Sequence, residues 1–143
     1  MPRPVNALII DDEPHVLLLL RGLLKQLGME TIWDAPDGAT GIEKAAANKP
    51  GVILLDLNLP QADGLEVLAR LREKNPEIPV IVVSAQSTIR TINRARELGA
   101  VRYVLKHAPK SEVLQALSDA FDSIAEEPGG EKPVEGEKPA APA

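Results

Sequence analysis

The segment VILLD, residues 52–56, decides the fold, because four successive apolar residues end abruptly at a carboxylate. The segment VIVVS, residues 80–84, repeats this pattern and ends at a hydroxyl. A strand that is apolar at every position needs cover on both of its faces, which is typical of a parallel sheet between two layers of helices. The two segments therefore predict the centre of an α/β fold.

Short apolar runs of this kind occur five times and alternate with longer segments of helical periodicity. That alternation is the pattern of βαβ units, which form a parallel sheet. Five such units favour a doubly wound sheet with the strand order 2-1-3-4-5. We therefore predict a (βα)5 fold of the α/β class, with a five-stranded parallel sheet. The predicted strands span residues 6–11, 30–34, 51–56, 79–84 and 101–105.

The predicted helices begin and end at residues that suit those positions. Pro14 fits the first turn of the first helix, and Gly28 follows its last turn. The second helix is predicted over residues 38–48. Asp63 fits the N-cap of the third helix, with Glu66 at the spacing of a capping box. The fourth helix is predicted over residues 87–98, and the fifth carries one apolar stripe: Val113, Leu117, Ala120, Phe121 and Ile124.

Length and composition indicate one globular domain. The 143 residues are 44% hydrophobic, which is enough for a single core. The sequence contains no cysteine, so thiol nucleophiles, zinc fingers and disulfides are excluded. The apolar stretch at residues 7–10 is too short for a signal-peptide core or a membrane span. We therefore expect a cytoplasmic protein without a membrane segment.

Charge is unevenly distributed along the chain. The net charge of −5 argues against direct nucleic-acid binding, which needs clustered positive charge. Residues 86–110 nevertheless carry six basic side chains against one acid, whereas residues 122–143 carry six acids against two lysines. The last segment is rich in glycine, proline and charge, so it cannot bury a core. We predict a domain over residues 1–125 and a disordered acidic tail or linker over residues 126–143.

Three carboxylates follow the predicted central strands. Asp11 and Asp12 end the first strand, and Asp56 ends the third. In the strand order given above these strands are neighbours, about 4.8 Å apart, and their carboxyl ends form the usual ligand crevice of an open α/β sheet. Clustered carboxylates repel one another unless a cation lies between them. An all-oxygen site of this kind suits Mg²⁺, which would also allow an anionic phosphoryl group to bind.

Ser84 and Lys106 follow the fourth and fifth predicted strands and obey the same rule. The Lys106 ammonium can reach Asp56 or a phosphoryl oxygen, while the Ser84 hydroxyl lies one strand away. Each residue alone also fits an ordinary role at a strand end. Asp11 and Asp12 alone also fit a helix cap, but Asp56 opposite them favours a functional cluster. His15 and His107 lack metal-ligand spacing, so we interpret them as solvated side chains.

Four segments in this order resemble the receiver domain of two-component response regulators, the CheY-like superfamily with a flavodoxin-like fold. They are IIDDEP (residues 9–14), LLDLNLPQADG (54–64), VIVVSA (80–85) and GAVRYVLK (99–106). The resemblance covers residues 5 to about 125. It implies phosphorelay signal transduction, in which a histidine kinase or phosphotransfer protein passes a phosphoryl group to the receiver.

The resemblance also implies roles for single residues. Asp56 matches the phosphoacceptor, a carboxylate nucleophile that becomes an aspartyl phosphate. Asp12 matches the direct Mg²⁺ ligand, Asp11 a ligand acting through water, and the backbone carbonyl of Asn58 a third protein ligand. The remaining matches are the switch hydroxyl at Ser84, the lysine at Lys106, the switch aromatic at Tyr103, and the positions that tune phosphoryl lifetime at Asn58 and Gln86.

The sequence departs from the family pattern at one position, and the resemblance also implies a surface for partner binding. Receivers often have a proline directly after the lysine, commonly with a cis peptide bond, whereas His107 follows Lys106 here. In this family, the face formed by helix four, strand five and helix five often binds partners or a second receiver. We therefore expect a downstream protein partner, or a homodimer, on that face. Its basic residues also suit an acidic partner or the chain's own acidic tail.

Two other functions remain as alternatives. A Mg²⁺-dependent phosphohydrolase also uses an aspartate nucleophile, but it usually needs a second aspartate two residues later, where Asn58 stands. A pseudo-receiver would bind partners without taking a phosphoryl group, although every site residue of the family is present. We predict a signalling domain rather than an enzyme, with Mg²⁺-dependent self-phosphorylation and self-dephosphorylation.

Overall fold

The computed structural model describes residues 3–126, and five parallel strands form its main sheet. In chain order, the elements are β1 (Asn6–Ile10), α1 (Pro14–Gln26), β2 (Thr31–Ala35), α2 (Gly38–Asn48), β3 (Val52–Leu55), β4 (Asn58–Leu59), β5 (Ala62–Asp63), α3 (Gly64–Lys74), β6 (Val80–Ser84), α4 (Ile89–Glu97), β7 (Arg102–Leu105) and α5 (Lys110–Glu126).

The strand order of the main sheet is β2-β1-β3-β6-β7, with parallel pairing throughout. This confirms the predicted order 2-1-3-4-5 and the doubly wound α/β class. Most strands are one residue shorter at an end than predicted. Asp11 and Asp56 therefore lie just beyond β1 and β3, although the amide of Asp56 still donates to the carbonyl of Ile10 at 2.9 Å.

The central strands are apolar throughout because alternate residues enter two separate cores. On one face, Ile9 and Leu54 pack with residues of α1 and α5, including the fully buried Phe121. On the other face, Leu8 and Ile53 pack with residues of α2, α3 and α4. This arrangement fixes the sheet between two helical layers and leaves the carboxyl ends of its strands free to carry polar side chains.

Three helices have side-chain N-caps, which satisfy backbone amides of the first turn. Asp37 accepts a hydrogen bond from the Thr40 amide at 2.8 Å, and the Thr88 hydroxyl accepts one from the Thr91 amide at 3.2 Å. The predicted N-cap role of Asp63 is confirmed. Asp63 accepts a hydrogen bond from the amide of Leu65 at 3.0 Å. In a capping box it would accept from the amide of Glu66, so the observed bond differs from the predicted pattern.

A short hairpin between β3 and α3 was absent from the prediction. Asn58 pairs with Asp63 and Leu59 with Ala62, and Gln61 adopts a left-handed backbone with φ of 61°. Gly64 follows the hairpin and packs against the backbone of Leu57 so closely that a β-carbon there would overlap Leu57. The hairpin thus begins two residues after Asp56, close to the end of β3.

Two further expectations concern the chain ends and the backbone. The predicted acidic tail lies outside the described residues except for Glu126, which ends α5. Within residues 3–126 no helix is long and apolar enough to span a bilayer. No cis peptide bond is present in this part of the chain, so the bond between Lys106 and His107 is trans.

Candidate functional site

Three acidic side chains meet at the carboxyl ends of β1 and β3. Each of Asp11, Asp12 and Asp56 offers a carboxylate oxygen, and these oxygens all lie within 4.8 Å of one another. Asp11 and Asp56 are buried, whereas Asp12 is exposed. The structure therefore brings together the three carboxylates singled out in the sequence, in a cluster that opens to solvent beside Asp12.

Lys106, which follows β7, reaches into this cluster. Its Nζ lies 2.7 Å from Asp56 Oδ2 and 2.9 Å from Glu13 Oε1, and it is 3.1 Å from Asp11 Oδ2. Burial alone would lower the pKa of Lys106, but its hydrogen bonds to Asp56 and Glu13 outweigh this and raise the pKa above its usual value. The ammonium group therefore stays charged inside the cluster.

Asp11 has the features expected of a group that needs a cation. Its Oδ1 accepts a hydrogen bond from the Glu13 amide at 2.9 Å. Its buried Oδ2 lies near the Lys106 ammonium but has no well-directed hydrogen bond within the described part of the chain. Burial, followed by the negative charge of Asp56, raises the pKa of Asp11 despite the opposing Glu13 amide and Lys106. This unmet demand for positive charge and the all-oxygen donor set both fit Mg²⁺.

Asp56 is held from two sides. The amide of Asn58 donates to Asp56 Oδ1 at 3.1 Å, and Lys106 donates to Oδ2. The hairpin formed by β4 and β5 and its close contact at Gly64 keep the Asn58 amide in this position. As a result, the carboxylate of Asp56 has a fixed orientation at the carboxyl end of the central strand β3.

Ser84 lies at the end of β6, in register with Leu105 of β7. Its side chain is fully buried, and its Oγ accepts a hydrogen bond from the Gln86 amide at 3.2 Å. Its carbonyl accepts from the Lys106 amide at 2.9 Å, which extends the ladder between β6 and β7 by one bond. The backbones that carry Ser84 and Lys106 are therefore joined directly.

Gln86 connects the site to its surroundings. Its side-chain amide donates to Asn58 Oδ1 at 2.6 Å, so the two residues predicted to tune phosphoryl lifetime contact each other. Its backbone carbonyl accepts a hydrogen bond from the Tyr103 hydroxyl at 2.7 Å. Tyr103 is half-buried, and burial is the main cause of its raised pKa. The loop after β6 is thus joined both to the hairpin beside Asp56 and to β7.

Glu13 is the site residue that sequence reasoning missed. It directly follows Asp11 and Asp12 and pairs with Lys106, and this hydrogen bond is the main cause of its lowered pKa. The sequence did contain a signal for this contact, because Glu13 extends the acidic pair Asp11-Asp12 at the strand end that Lys106 was predicted to reach. His15 and His107 are both exposed, in agreement with the interpretation as solvated side chains.

The sequence model of the response regulator receiver domain matches residues 7–118, which is most of the chain. The chain belongs to this family. Receiver domains act in two-component signalling rather than as conventional enzymes, and they bind Mg²⁺ in an acidic pocket. The cluster of Asp11, Asp12 and Asp56 is the acidic pocket of this receiver.

Individual relatives agree with the family assignment. The receiver is 35% identical to BvgA of Bordetella pertussis, over 78% of this chain and 53% of that protein. It is 29% identical to the transcriptional regulatory protein PdtaR of Mycobacterium tuberculosis, over 86% of this chain and 60% of that protein. The chain therefore spans little more than half the length of these curated relatives.

Solved receiver structures have the same fold. CheY of Borrelia burgdorferi, in a complex with CheX, BeF3 and magnesium, aligns with a TM-score of 0.77 at 26% identity, over 83% of this chain and 90% of that one. The receiver domain of NarL from Mycobacterium tuberculosis aligns with a TM-score of 0.73 at 29% identity, over 85% of this chain and 98% of that one.

Proposed function

We propose that this receiver accepts a phosphoryl group on Asp56 in a Mg²⁺-dependent reaction, and that phosphorylation changes which partner it binds. The observation that carries the proposal is the placement of Asp56. Its carboxylate is buried, held in one orientation by Asn58 and Lys106, and shares a cluster with Asp11 and Asp12. A fixed carboxylate in such surroundings suits in-line attack on phosphorus.

The proposed donor is a phosphohistidine of a histidine kinase or phosphotransfer protein. A carboxylate oxygen of Asp56 forms a bond to phosphorus, and the bond between phosphorus and the imidazole nitrogen breaks. The leaving imidazole takes the bonding electron pair and accepts a proton from solvent. Lys106, whose Nζ already lies 2.7 Å from Asp56, donates a hydrogen bond to a phosphoryl oxygen and balances part of the transferred charge.

The residues proposed to hold Mg²⁺ are Asp12 directly, Asp11 through water, Asp56, and the backbone carbonyl of Asn58. When bound, the ion would neutralise the carboxylate cluster and balance charge on the phosphoryl oxygens. The protein's part is to hold the acidic oxygens close together. The buried, poorly satisfied Oδ2 of Asp11 supports this role, because a nearby cation relieves its need for positive charge.

Ser84 and Tyr103 form the proposed switch. In the structure, the buried Ser84 hydroxyl accepts from the Gln86 amide, while Tyr103 donates to the carbonyl of the same residue. Both side chains therefore contact one loop. When the Ser84 hydroxyl turns to donate to a phosphoryl oxygen, its bond to Gln86 breaks and the loop that holds Tyr103 is released. Asn58 and Gln86, which are hydrogen-bonded to each other, are proposed to control how readily water reaches the aspartyl phosphate.

The proposed output surface is the face formed by α4, β7 and α5, which contains Tyr103. Exposed apolar side chains at Ile89, Val101 and Leu105 lie on these elements or directly beside them. The basic residues on the same part of the chain suit an acidic protein partner or a second copy of the receiver: Arg90, Arg94, Arg96, Arg102 and Lys110. Because PdtaR is named as a transcriptional regulatory protein, control of transcription through a protein partner or an attached domain is the proposed type of output.

Incubation with acetyl phosphate and Mg²⁺, followed by intact-mass measurement, tests the proposal. We expect the wild-type protein to gain one phosphoryl group and Asp56→Asn to gain none. The same incubation without Mg²⁺ is the second control and should give no adduct. An unmodified wild-type protein would favour the pseudo-receiver, and sustained release of phosphate from added phosphate esters would favour the phosphohydrolase.

A further inference from the structure

The Lys106 ammonium is surrounded by three carboxylates and donates well-directed hydrogen bonds to two of them, Asp56 and Glu13. An ammonium group has three N–H donors, and carboxylate oxygens of Asp56, Glu13 and Asp11 lie within 3.1 Å of Nζ. The Lys106 side chain is only 4% exposed, so water has little access to it. A phosphoryl oxygen that approaches Lys106 must therefore compete with these carboxylates for the ammonium group.

Glu13 differs from the other two carboxylates in ways that make it the one to be replaced. Its side chain is 42% exposed, whereas those of Asp11 and Asp56 are almost fully buried. It can therefore leave Lys106 and become solvated at little cost, unlike a buried carboxylate. Although Glu13 lies at the N-cap of α1, its side chain makes no capping hydrogen bond, so releasing it leaves the helix end unchanged.

We propose that Glu13 competes with the incoming phosphoryl group for Lys106 and so sets how readily Asp56 is phosphorylated. This inference rests on the proposed phosphoacceptor function. Glu13 is a positioning residue, because it acts through Lys106 and does not touch the reacting atoms. With the Glu13 contact in place, Lys106 is held toward the acidic loop after β1. Once the contact is lost, an N–H of the ammonium is free for a phosphoryl oxygen.

Two substitutions separate this contact from the general effect of negative charge. Glu13→Asp keeps the charge, but its side chain is one methylene shorter and cannot maintain the 2.9 Å contact. Glu13→Ala removes both contact and charge. Glu73, exposed on α3 and remote from the carboxyl ends of the strands, provides matched controls through Glu73→Asp and Glu73→Ala.

The rate of phosphorylation is measured against acetyl phosphate concentration at fixed Mg²⁺, which separates half-saturation from the maximal rate. Affinity for beryllofluoride, measured by ¹⁹F NMR, gives a second readout that involves no phosphoryl transfer. Both Glu13 variants should show phosphorylation efficiency and beryllofluoride affinity raised about tenfold, the change expected for one charge-assisted hydrogen bond. The Glu73 variants should match the wild type in both measurements, and thermal melting verifies that each variant is folded.

The behaviour of Glu13→Asp decides the outcome. If it matches the wild type while Glu13→Ala reacts faster, pocket charge rather than contact is responsible and the inference is overturned. Equal rates and affinities in all folded variants also overturn it, while leaving the proposed function intact. A wild-type protein that takes neither a phosphoryl group nor beryllofluoride overturns the proposed function together with this inference.

Discussion

At the scale of single residues, the chemistry of the site follows from an imbalance of charge. Four carboxylates, those of Asp11, Asp12, Glu13 and Asp56, lie around or beside one ammonium group, that of Lys106. Two like charges 4 Å apart repel by about 1 kcal/mol even in a water-like dielectric, and by more when buried. The metal-free protein therefore retains electrostatic strain that a bound cation would remove.

Asp12 provides the simplest test of that strain, because it is exposed and no hydrogen bond to its side chain is found in the described structure. Asp12→Asn should leave the metal-free protein as stable as the wild type, or more stable by up to about 1 kcal/mol, since one like charge is removed. It should also abolish the stabilisation by Mg²⁺. Urea denaturation with and without MgCl2 measures both effects. Asp63→Asn, which keeps a capping side chain, is the charge-matched control; an undiminished Mg²⁺ effect in Asp12→Asn would contradict the account.

The raised pKa of Asp11, caused mainly by burial, gives a pH dependence of defined sign. A carboxyl group whose pKa is higher in the folded state than in the unfolded state stabilises the fold at low pH, where it is protonated. For Asp11 this stabilisation is complete below the unfolded pKa of 3.8 and disappears as the pH rises through the folded pKa. Without metal, Asp11→Asn should therefore gain stability relative to the wild type as the pH rises from below 3.8 toward neutrality. Urea denaturation at several pH values measures this difference, and a difference that falls with pH would contradict the cause assigned to the shift.

At the scale of elements, strand ends were predictable and side-chain contacts in loops were not. Ser84 and Lys106 could be assigned to one edge because each follows an apolar run that reads as a strand. The hairpin formed by β4 and β5 was missed, because two-residue strands carry no periodicity. The contact between Glu13 and Lys106 was missed for a different reason: its partners are 93 positions apart, and the direction of an exposed side chain is set by tertiary structure.

Gly64 gives a prediction at this scale, because it joins the hairpin to α3 against the backbone of Leu57. Gly64→Ala should destabilise the protein by about 1–3 kcal/mol through overpacking, and should slow phosphorylation by displacing the Asn58 amide from Asp56. Gly22→Ala is the matched control in α1, where a new β-carbon meets nothing within 4 Å. It should stabilise the protein by about 0.5–1 kcal/mol. Urea denaturation and phosphorylation rates measure both variants; a tolerated Gly64→Ala would show that the close contact does not control the site.

At the scale of the whole molecule, the fold explains how two apolar cores and an acidic site coexist in one domain. Leu54 and Leu55 point into opposite cores. Asp56, which follows them, lies just beyond the carboxyl end of β3. The sequence periodicity was sufficient to predict this sheet and its strand order. It was insufficient to predict the hydrogen bonds of Gln86, which depend on how the loop after β6 packs against the hairpin and β7.

Trapping the phosphorylated residue tests the central claim most directly. Borohydride reduces an aspartyl phosphate to homoserine, so peptide mass analysis after treatment with acetyl phosphate and Mg²⁺ identifies the modified position. We expect homoserine at position 56 in the wild type and none when Mg²⁺ is omitted. Homoserine at another aspartate, or none at any position in the presence of Mg²⁺, would contradict the assignment of Asp56 as the phosphoacceptor.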